Sequence, residues 1–241
     1  MGYSIITPTY NSAKDISKNI TKLIRKLNNL KVIFELIIVN DGSSDDTQKQ
    51  IAKFKNKKFI KVLVNKKNEG KSFSVIKGIK ASKYKNIILI DSDLPYFSSF
   101  KTIISSLKKN NDLVLKNKKL KKSKLIEKNL NLYQIVRYII GELIARFNIK
   151  FLGINIEGGD TQAGLKGFKK IANLEKKKFI SRKFFFDLEL VLIYTKKKLK
   201  ILSLKTKYKI PKNSSIKLFN LKKNLQIIIE LIKIYINYRK K

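Results

Sequence analysis

Ile87-Ile88-Leu89-Ile90-Asp91-Ser92-Asp93 is an apolar run that ends in two carboxylates two residues apart. Alternate side chains of a strand share a face, so Asp91 and Asp93 can point together from a strand's end toward a divalent cation. Hard oxygen ligands of this kind suit Mg²⁺ or Mn²⁺, ions that commonly hold the phosphates of a nucleotide. The competing reading is a solvated turn after a buried strand, and the neighbouring segments weigh between the two.

Upstream, strand-like and helix-like segments alternate. Ser4-Ile5-Ile6-Thr7 reads as a short strand stopped by Pro8, and Ile16 to Leu30 carries apolar residues at helical spacing. A second strand is expected at Leu36-Ile37-Ile38-Val39. The turn from Asn40 to Thr47 then offers several helix N-caps and opens a helix through about Lys53. A third strand at Ile60 to Val64 leads through Asn68-Glu69-Gly70-Lys71 into a helix near Ser72 to Ala81, and the fourth strand ends at Asp91. This order predicts an α/β fold with a mostly parallel central sheet flanked by helices, and ligands bound beyond the carboxyl ends of the strands. Tyr10, Asp41, Lys71, Asp91 and Asp93 all fall just past strand ends.

Thr7-Pro8-Thr9-Tyr10-Asn11, Val39-Asn40-Asp41-Gly42-Ser43-Ser44-Asp45, Asn68-Glu69-Gly70-Lys71 and Asp91-Ser92-Asp93-Leu94 resemble the successive motifs of family-two glycosyltransferases, which have the Rossmann-like GT-A fold. Gly159-Asp160-Thr161-Gln162-Ala163-Gly164-Leu165-Lys166-Gly167-Phe168 is similar to the Asp-Thr-Gln-x-Gly-Phe-Lys motif of the branch that glycosylates polyprenyl phosphates, with Leu165 in place of the usual phenylalanine. Phe186-Asp187-Leu188-Glu189-Leu190 resembles the segment that follows it in dolichyl-phosphate glucose and mannose synthases. The resemblance spans roughly residues 4–215.

It implies an inverting hexosyltransferase that moves a sugar from a UDP- or GDP-hexose to a polyprenyl phosphate with Mg²⁺ or Mn²⁺. Asp91 and Asp93 would hold the metal, with Asp93 also among the catalytic residues, and Lewis-acid stabilisation of the departing diphosphate needs no proton donor. The chain's lack of histidine therefore does not count against catalysis. Pro95 stands where mannose synthases of this kind often offer a glutamine, so water or diphosphate oxygens would complete the coordination shell. Asp41 would accept hydrogen bonds from a base edge or ribose, unless it caps the helix that follows, a duty Ser43, Ser44 or Asp45 could take instead. Pro8 and Tyr10 would shape the wall beside the base. At Lys71, an ammonium and the backbone N–H groups of a helix start could both meet the diphosphate.

On the acceptor side, a lipid phosphate is already ionised and can attack directly, whereas a sugar hydroxyl would need a base such as Asp160. The closest alternative is accordingly the same donor chemistry with a saccharide hydroxyl acceptor, as in surface-polysaccharide assembly. Gln162 and Lys166 belong to the Asp160 motif, Asp187 and Glu189 are secondary candidates that share an edge only if their segment is extended, and Arg137 is placed at the acceptor phosphate.

Composition bounds the partners. Lys plus Arg total 55 against 17 acidic residues, a net charge of +38 that attracts any polyanion, nucleic acid and anionic bilayers included. A non-catalytic polyanion-binding protein is the remote alternative. Lysine far outnumbers arginine and Cys, Trp and His are missing, a pattern AT-rich coding sequence also produces, and aromatics are not interleaved with the basic runs as a base-stacking platform would need. No specific nucleic acid is expected.

The placement of charge says more than its sum. Leu130 to Leu152 and Leu218 to Lys241 mix apolar residues with cations in the manner of amphipathic helices at an anionic membrane surface. Glu142, Arg146, Glu230 and Lys233 interrupt them, so neither supplies the ~20 apolar residues of a membrane span. The expected organisation is one domain over 1–215, with a nucleotide-sugar half of about 1–98 and an acceptor half of about 99–215, followed by a basic amphipathic helix over 216–241. Lys116 to Lys124 reads as a lysine-dense, solvated linker. With no signal peptide and no cysteine, the expected location is cytoplasmic, peripheral on the inner face of the membrane.

Overall fold

A computed structural model describes residues 1–126, 129–154, 156–174, 176–210 and 221–239, for residues 221–224 the backbone alone. The strands are β1 (Gly2–Thr9), β2 (Ile33–Asn40), β3 (Ile60–Val64), β4 (Asn86–Ile90), β5 (Leu113–Lys116), β6 (Lys124–Leu125), β7 (Leu165–Lys169), β8 (Ile201–Leu204) and β9 (Lys207–Tyr208). The helices are α1 (Ile16–Asn29), α2 (Thr47–Ala52), α3 (Lys71–Ala81), α4 (Phe100–Lys108), α5 (Leu132–Leu152), α6 (Phe186–Lys196) and α7 (Leu221–Tyr238).

Seven strands form one sheet in the order β3-β2-β1-β4-β7-β5-β8. All neighbours are parallel except β7, which runs antiparallel between β4 and β5. Helices cover both faces, which is why strands such as Leu36–Val39 and Ile87–Ile90 are continuously apolar instead of alternating. Ile5, Leu36, Ile38, Ile88 and Ile90 pack with the buried stripe of α1 (Ile16, Ile20, Leu23, Leu27) and with α4. Their neighbours Ile6, Ile37, Val39, Ile87 and Leu89 face the other way, onto α3, α6 and the inner side of α7, where Ile234 is fully buried.

Pro8 does not stop β1, which continues beside β2 to Thr9. The Asp41 N–H donates to the Thr9 carbonyl, so the backbone of Thr9 faces β2 and that of Pro8 faces β4. Pairing with β4 has already ended at Ile6, and the missing N–H removes no ladder bond. Nor is Lys116 to Lys124 a solvated linker: Lys116 ends β5 with its ammonium buried on the Lys205 carbonyl, and Lys124 begins β6.

The α5 helix opens with a capping box, in which the Gln134 N–H donates to Asn131 Oδ1 at 2.9 Å and the Asn131 N–H to Gln134 Oε1 at 3.0 Å. It ends at Gly153 in the left-handed conformation. Helix α7 begins at Leu221; the expected boundary at 215–216 and the outermost residues of the expected 216–241 helix lie outside the described residues. Among the described residues no helix is long and apolar enough to cross a membrane.

One buried carboxylate ties the lower edge of the sheet together. Glu35 on β2 accepts from Ser4 Oγ at 2.6 Å, from the Lys83 N–H at 2.5 Å and from Lys61 Nζ at 2.9 Å. Burial pushes its pKa up, but these donors outweigh that and hold it below 4.5. Its contribution is therefore present above pH 4.5 and lost as pH falls through the folded-state value. Glu35→Gln is expected to cost about 1–3 kcal/mol at neutral pH, and urea unfolding at descending pH should show the two proteins converging below pH 4.5.

Candidate active site

The site forms where β4 gives out. Asp91 follows the last strand residue, and the chain turns at once, with the Leu94 N–H donating to the Asp91 carbonyl at 2.9 Å. A turn, not the period of an extended strand, brings Asp91 and Asp93 together. Leu94 and Tyr96 flank Pro95 with φ of 54° and 56°, left-handed conformations that are costly for bulky side chains. Asn19 on α1 steadies the bend by donating to the Ser92 carbonyl at 2.9 Å. Asp93 stands exposed at the rim, and partial desolvation followed by the like charge of Asp91 raises its pKa. Two hard carboxylates that repel one another are a donor set a divalent cation suits. Among the described residues no group of three or more acidic side chains forms a complete cage, so such an ion would take its remaining oxygens from ligand or water.

Behind this pair runs a chain of alternating charge. Lys71 Nζ lies 2.6 Å from Asp91 Oδ1 and 3.9 Å from Asp187 Oδ2. Asp187 in turn pairs with Lys166, whose side chain is only 1 % exposed. Burial pulls the Lys71 pKa down, but Asp91 and Asp187 together hold it above the usual lysine range. At Lys166 burial wins, and its pKa is lowered despite Asp187. Gly164 lets the two ends meet: the Asp91 N–H donates to its carbonyl at 3.0 Å, and a Cβ there would sit 2.5 Å from Asp91 Oδ2.

Asp41 organises the neighbouring strand ends. Its Oδ1 accepts from Asn65 Nδ2 at 2.7 Å and the Glu69 N–H at 3.0 Å, and its Oδ2 from the Gly70 N–H at 2.9 Å. Near α2 it is Asp45, just before the N-cap residue Asp46, that accepts from the Thr47 N–H at 3.0 Å. Four N–H groups around the start of α3, expected to meet a diphosphate, are already engaged within the protein. Those of Glu69 and Gly70 serve Asp41, while those of Ser72 and Phe73 donate to the Lys183 and Arg182 carbonyls at 3.4 and 3.0 Å. Of the expected wall residues, Pro8 is buried and Tyr10 is exposed.

On the far side, the Asp160 carboxylate is buried and held by two backbone donors, Lys118 N–H at 2.8 Å and Gln162 N–H at 3.1 Å. The Gln162 side chain points outward, whereas Lys166 is enclosed against the Thr161 carbonyl and Asp187. Asp187 and Glu189 lie in helix α6, not in an extended segment, and so turn in different directions. Glu189, fully buried, accepts from the N–H groups of Ile180 and Ser181 and from the Tyr238 hydroxyl at 2.8 Å. Lys166 and Glu189, expected on the acceptor side, are both enclosed and neither reaches open space. Arg137 lies on α5 over the Tyr133 ring, its buried Nη1 without a hydrogen-bond partner among the described residues. A separate cavity of about 380 Å³ opens between α5 and the segment after β5, lined by Lys118, Lys119, Tyr138, Glu142, Arg146 and Tyr208 among others. Tyr96 and Gly164, to which the sequence reading gave no role, both belong to this bend: Tyr96 follows Pro95 with φ 56° and Gly164 accepts from the Asp91 N–H.

Residues 4–159 match the family described as Glycosyl transferase family 2. Among curated proteins, the chain is 29% identical to a dolichyl-phosphate beta-glucosyltransferase of Dictyostelium discoideum over 181 residues, covering 69% of this chain and 54% of that protein. It is 26% identical to a dolichol-phosphate mannosyltransferase of Pyrococcus furiosus over 126 residues, covering 52% of this chain and 35% of the relative. The chain thus spans about half or less of the length of these relatives. Its fold is that of glucosyl-3-phosphoglycerate synthase from Mycobacterium tuberculosis, solved with UDP (TM-score 0.65, 15% identity, 97% of this chain and 79% of that one) and also with Mn²⁺, UDP and phosphoglyceric acid.

The buried pair carries a stability consequence. Asp187→Ala leaves the Lys166 ammonium enclosed and uncompensated and should cost about 3–5 kcal/mol in urea unfolding, much of it recovered when Lys166→Met is added.

Proposed function

The chain belongs to glycosyl transferase family 2, and on that premise we propose that it is an inverting hexosyltransferase that moves a sugar from a UDP- or GDP-hexose to a polyprenyl phosphate. The observation that carries the donor half is the cluster of Asp91, Asp93 and Lys71 past the end of β4. Asp91 and Asp93 would hold a divalent ion, Mg²⁺ or Mn²⁺, which when bound stabilises charge on the departing diphosphate. Lys71, poised on Asp91 and kept cationic, meets the same charge from the protein side. Asp41 keeps Asn65 and the Glu69–Gly70 backbone in place beside them, a scaffold for the nucleoside.

The acceptor half follows from Asp160. Both of its oxygens are engaged by backbone N–H groups, which fixes the loop and leaves the carboxylate poorly placed to deprotonate a hydroxyl. A phosphate needs no such base. In the reaction a phosphate oxygen forms the new bond to the anomeric carbon on the face opposite the leaving group, while the bond from that carbon to the diphosphate breaks and takes its electrons to the nucleoside diphosphate. Arg137, whose buried Nη1 has no partner among the described residues, and the cationic cavity of Lys118 and Arg146 suit an anionic acceptor. The names of the two lipid-phosphate relatives support the same acceptor class.

The outer sides of α5 and α7 support peripheral docking of the enzyme on an anionic membrane surface. Leu132, Ile139 and Leu143 on α5 and Ile228, Ile232 and Ile236 on α7 are exposed, on helices that also carry cations. The two helices pack together through Phe147, Phe151 and Tyr235.

Turnover of UDP-glucose and GDP-mannose with a short polyprenyl phosphate tests the reaction. Nucleoside diphosphate release should require the lipid phosphate and fall to background in EDTA, and Asp93→Asn should lower kcat by about 10²–10³. Transfer only to saccharide hydroxyls would reverse the acceptor assignment. Co-sedimentation with anionic vesicles should be lost in Leu143→Ser/Ile232→Ser and retained on zwitterionic vesicles by neither protein.

A further inference from the structure

We infer that Glu230, on the C-terminal helix α7, is a positioning residue for Lys71, acting through the turn at Arg182–Phe184. The inference rests on the donor-side role proposed for Lys71. Three successive backbone N–H groups converge on the Glu230 carboxylate: Arg182 at 2.6 Å and Lys183 at 2.9 Å on Oε1, and Phe184 at 3.0 Å on Oε2. Such a concave row of amides is an anion site, and here a side chain of the same protein fills it. The reverse side of this turn faces α3. The carbonyls of Arg182 and Lys183 receive the Phe73 and Ser72 N–H groups, and Ser72 Oγ lies 2.9 Å from Ser181 Oγ.

Contact at this point is too close for slack. Gly70, at φ +100°, approaches the turn so nearly that a Cβ would lie 2.8 Å from Lys183 Cα and 2.9 Å from the Arg182 carbonyl oxygen. Any shift of the turn therefore passes to Gly70 and Lys71, and Lys71 is the residue that reaches Asp91. Glu230 fixes the turn by charge-assisted hydrogen bonds. Without it, three amides lose their acceptor and the turn is left to the Lys183 Nζ–Gln226 Oε1 contact on α7 and the Ser181–Ser72 contact on α3. Helix α7 keeps its seat without Glu230, because Ile234 is fully buried and the Tyr238 hydroxyl donates to Glu189. Glu230→Ala is thus a folded protein with a loosened turn.

Steady-state kinetics and amide hydrogen exchange of wild type, Glu230→Ala and Glu230→Gln test the link. Glu230→Ala should raise the KM for the nucleotide sugar about tenfold with the acceptor KM unchanged, and speed exchange at Ser72 and Phe73. Acetate, whose carboxylate fits the vacated amides, should reverse both effects, sodium chloride of equal ionic strength should not, and Glu230→Gln should fall between the other two proteins. Unchanged exchange at Ser72 and Phe73 would overturn the inference. So would an equal loss of donor and acceptor affinity that acetate does not repair. A wild type that turns over no nucleotide sugar would defeat the functional reading instead, and exchange in Glu230→Ala with and without acetate would still decide whether Glu230 governs the start of α3.

Discussion

The enclosed ammonium of Lys166 is the constraint around which the site is arranged. Removing a charge of this size from water costs several kcal/mol unless a counter-charge meets it. Asp187 does so, and is itself shared with Lys71, which is shared with Asp91. For that chain of charges to exist, β7 must lie against β4, α6 must begin under it, and α3 must start at Lys71. The sheet order and both helix starts are therefore bound to one electrostatic requirement, and Gly164 supplies the room for it.

Carboxylates are scarce in this chain, 17 against 55 basic residues, yet among the described residues the buried ones all sit on named donors. Glu35, Asp41, Asp160 and Glu189 each accept from backbone N–H groups, and Asp187 from ammonium groups. Lysine covers the surface, where composition can drift at little cost, and the buried acidic side chains remain where backbone N–H or ammonium groups need an acceptor.

The first ninety residues were legible because parallel strands buried on both faces appear as unbroken apolar runs and α1 repeats at helical spacing. The position of Asp91 and Asp93 followed from where the fourth run stops. The antiparallel strand β7 was not legible: Leu165-Lys166-Gly167-Phe168-Lys169 carries two lysines and a glycine, and Lys166 is tolerated inside through its ion pair with Asp187 and the Thr161 carbonyl. Nor could side-chain patterns reveal how the N–H groups at the start of α3 are spent, since their partners are carbonyls of a turn more than a hundred residues away. Pro8 misled for a related reason, because its effect on a strand depends on which neighbour its nitrogen faces.

The insertion of β7 also sets an order of events at the ribosome. Strands β1 to β4 are complete by Ile90, but β4 gains its second neighbour only when Leu165 to Lys169 has been made, about 75 residues later. At 5–20 residues per second that interval is roughly 4–15 seconds. Throughout it the nascent sheet presents Asn86–Ile90 as an unpaired apolar edge, a template for wrong pairing and a reason for a chaperone to linger. The carboxylates at its tip wait longer still, because Asp187 and α6 emerge last of their partners. A ribosome-bound chain of a hundred residues would thus hold half a sheet and none of the charge network that makes it a site.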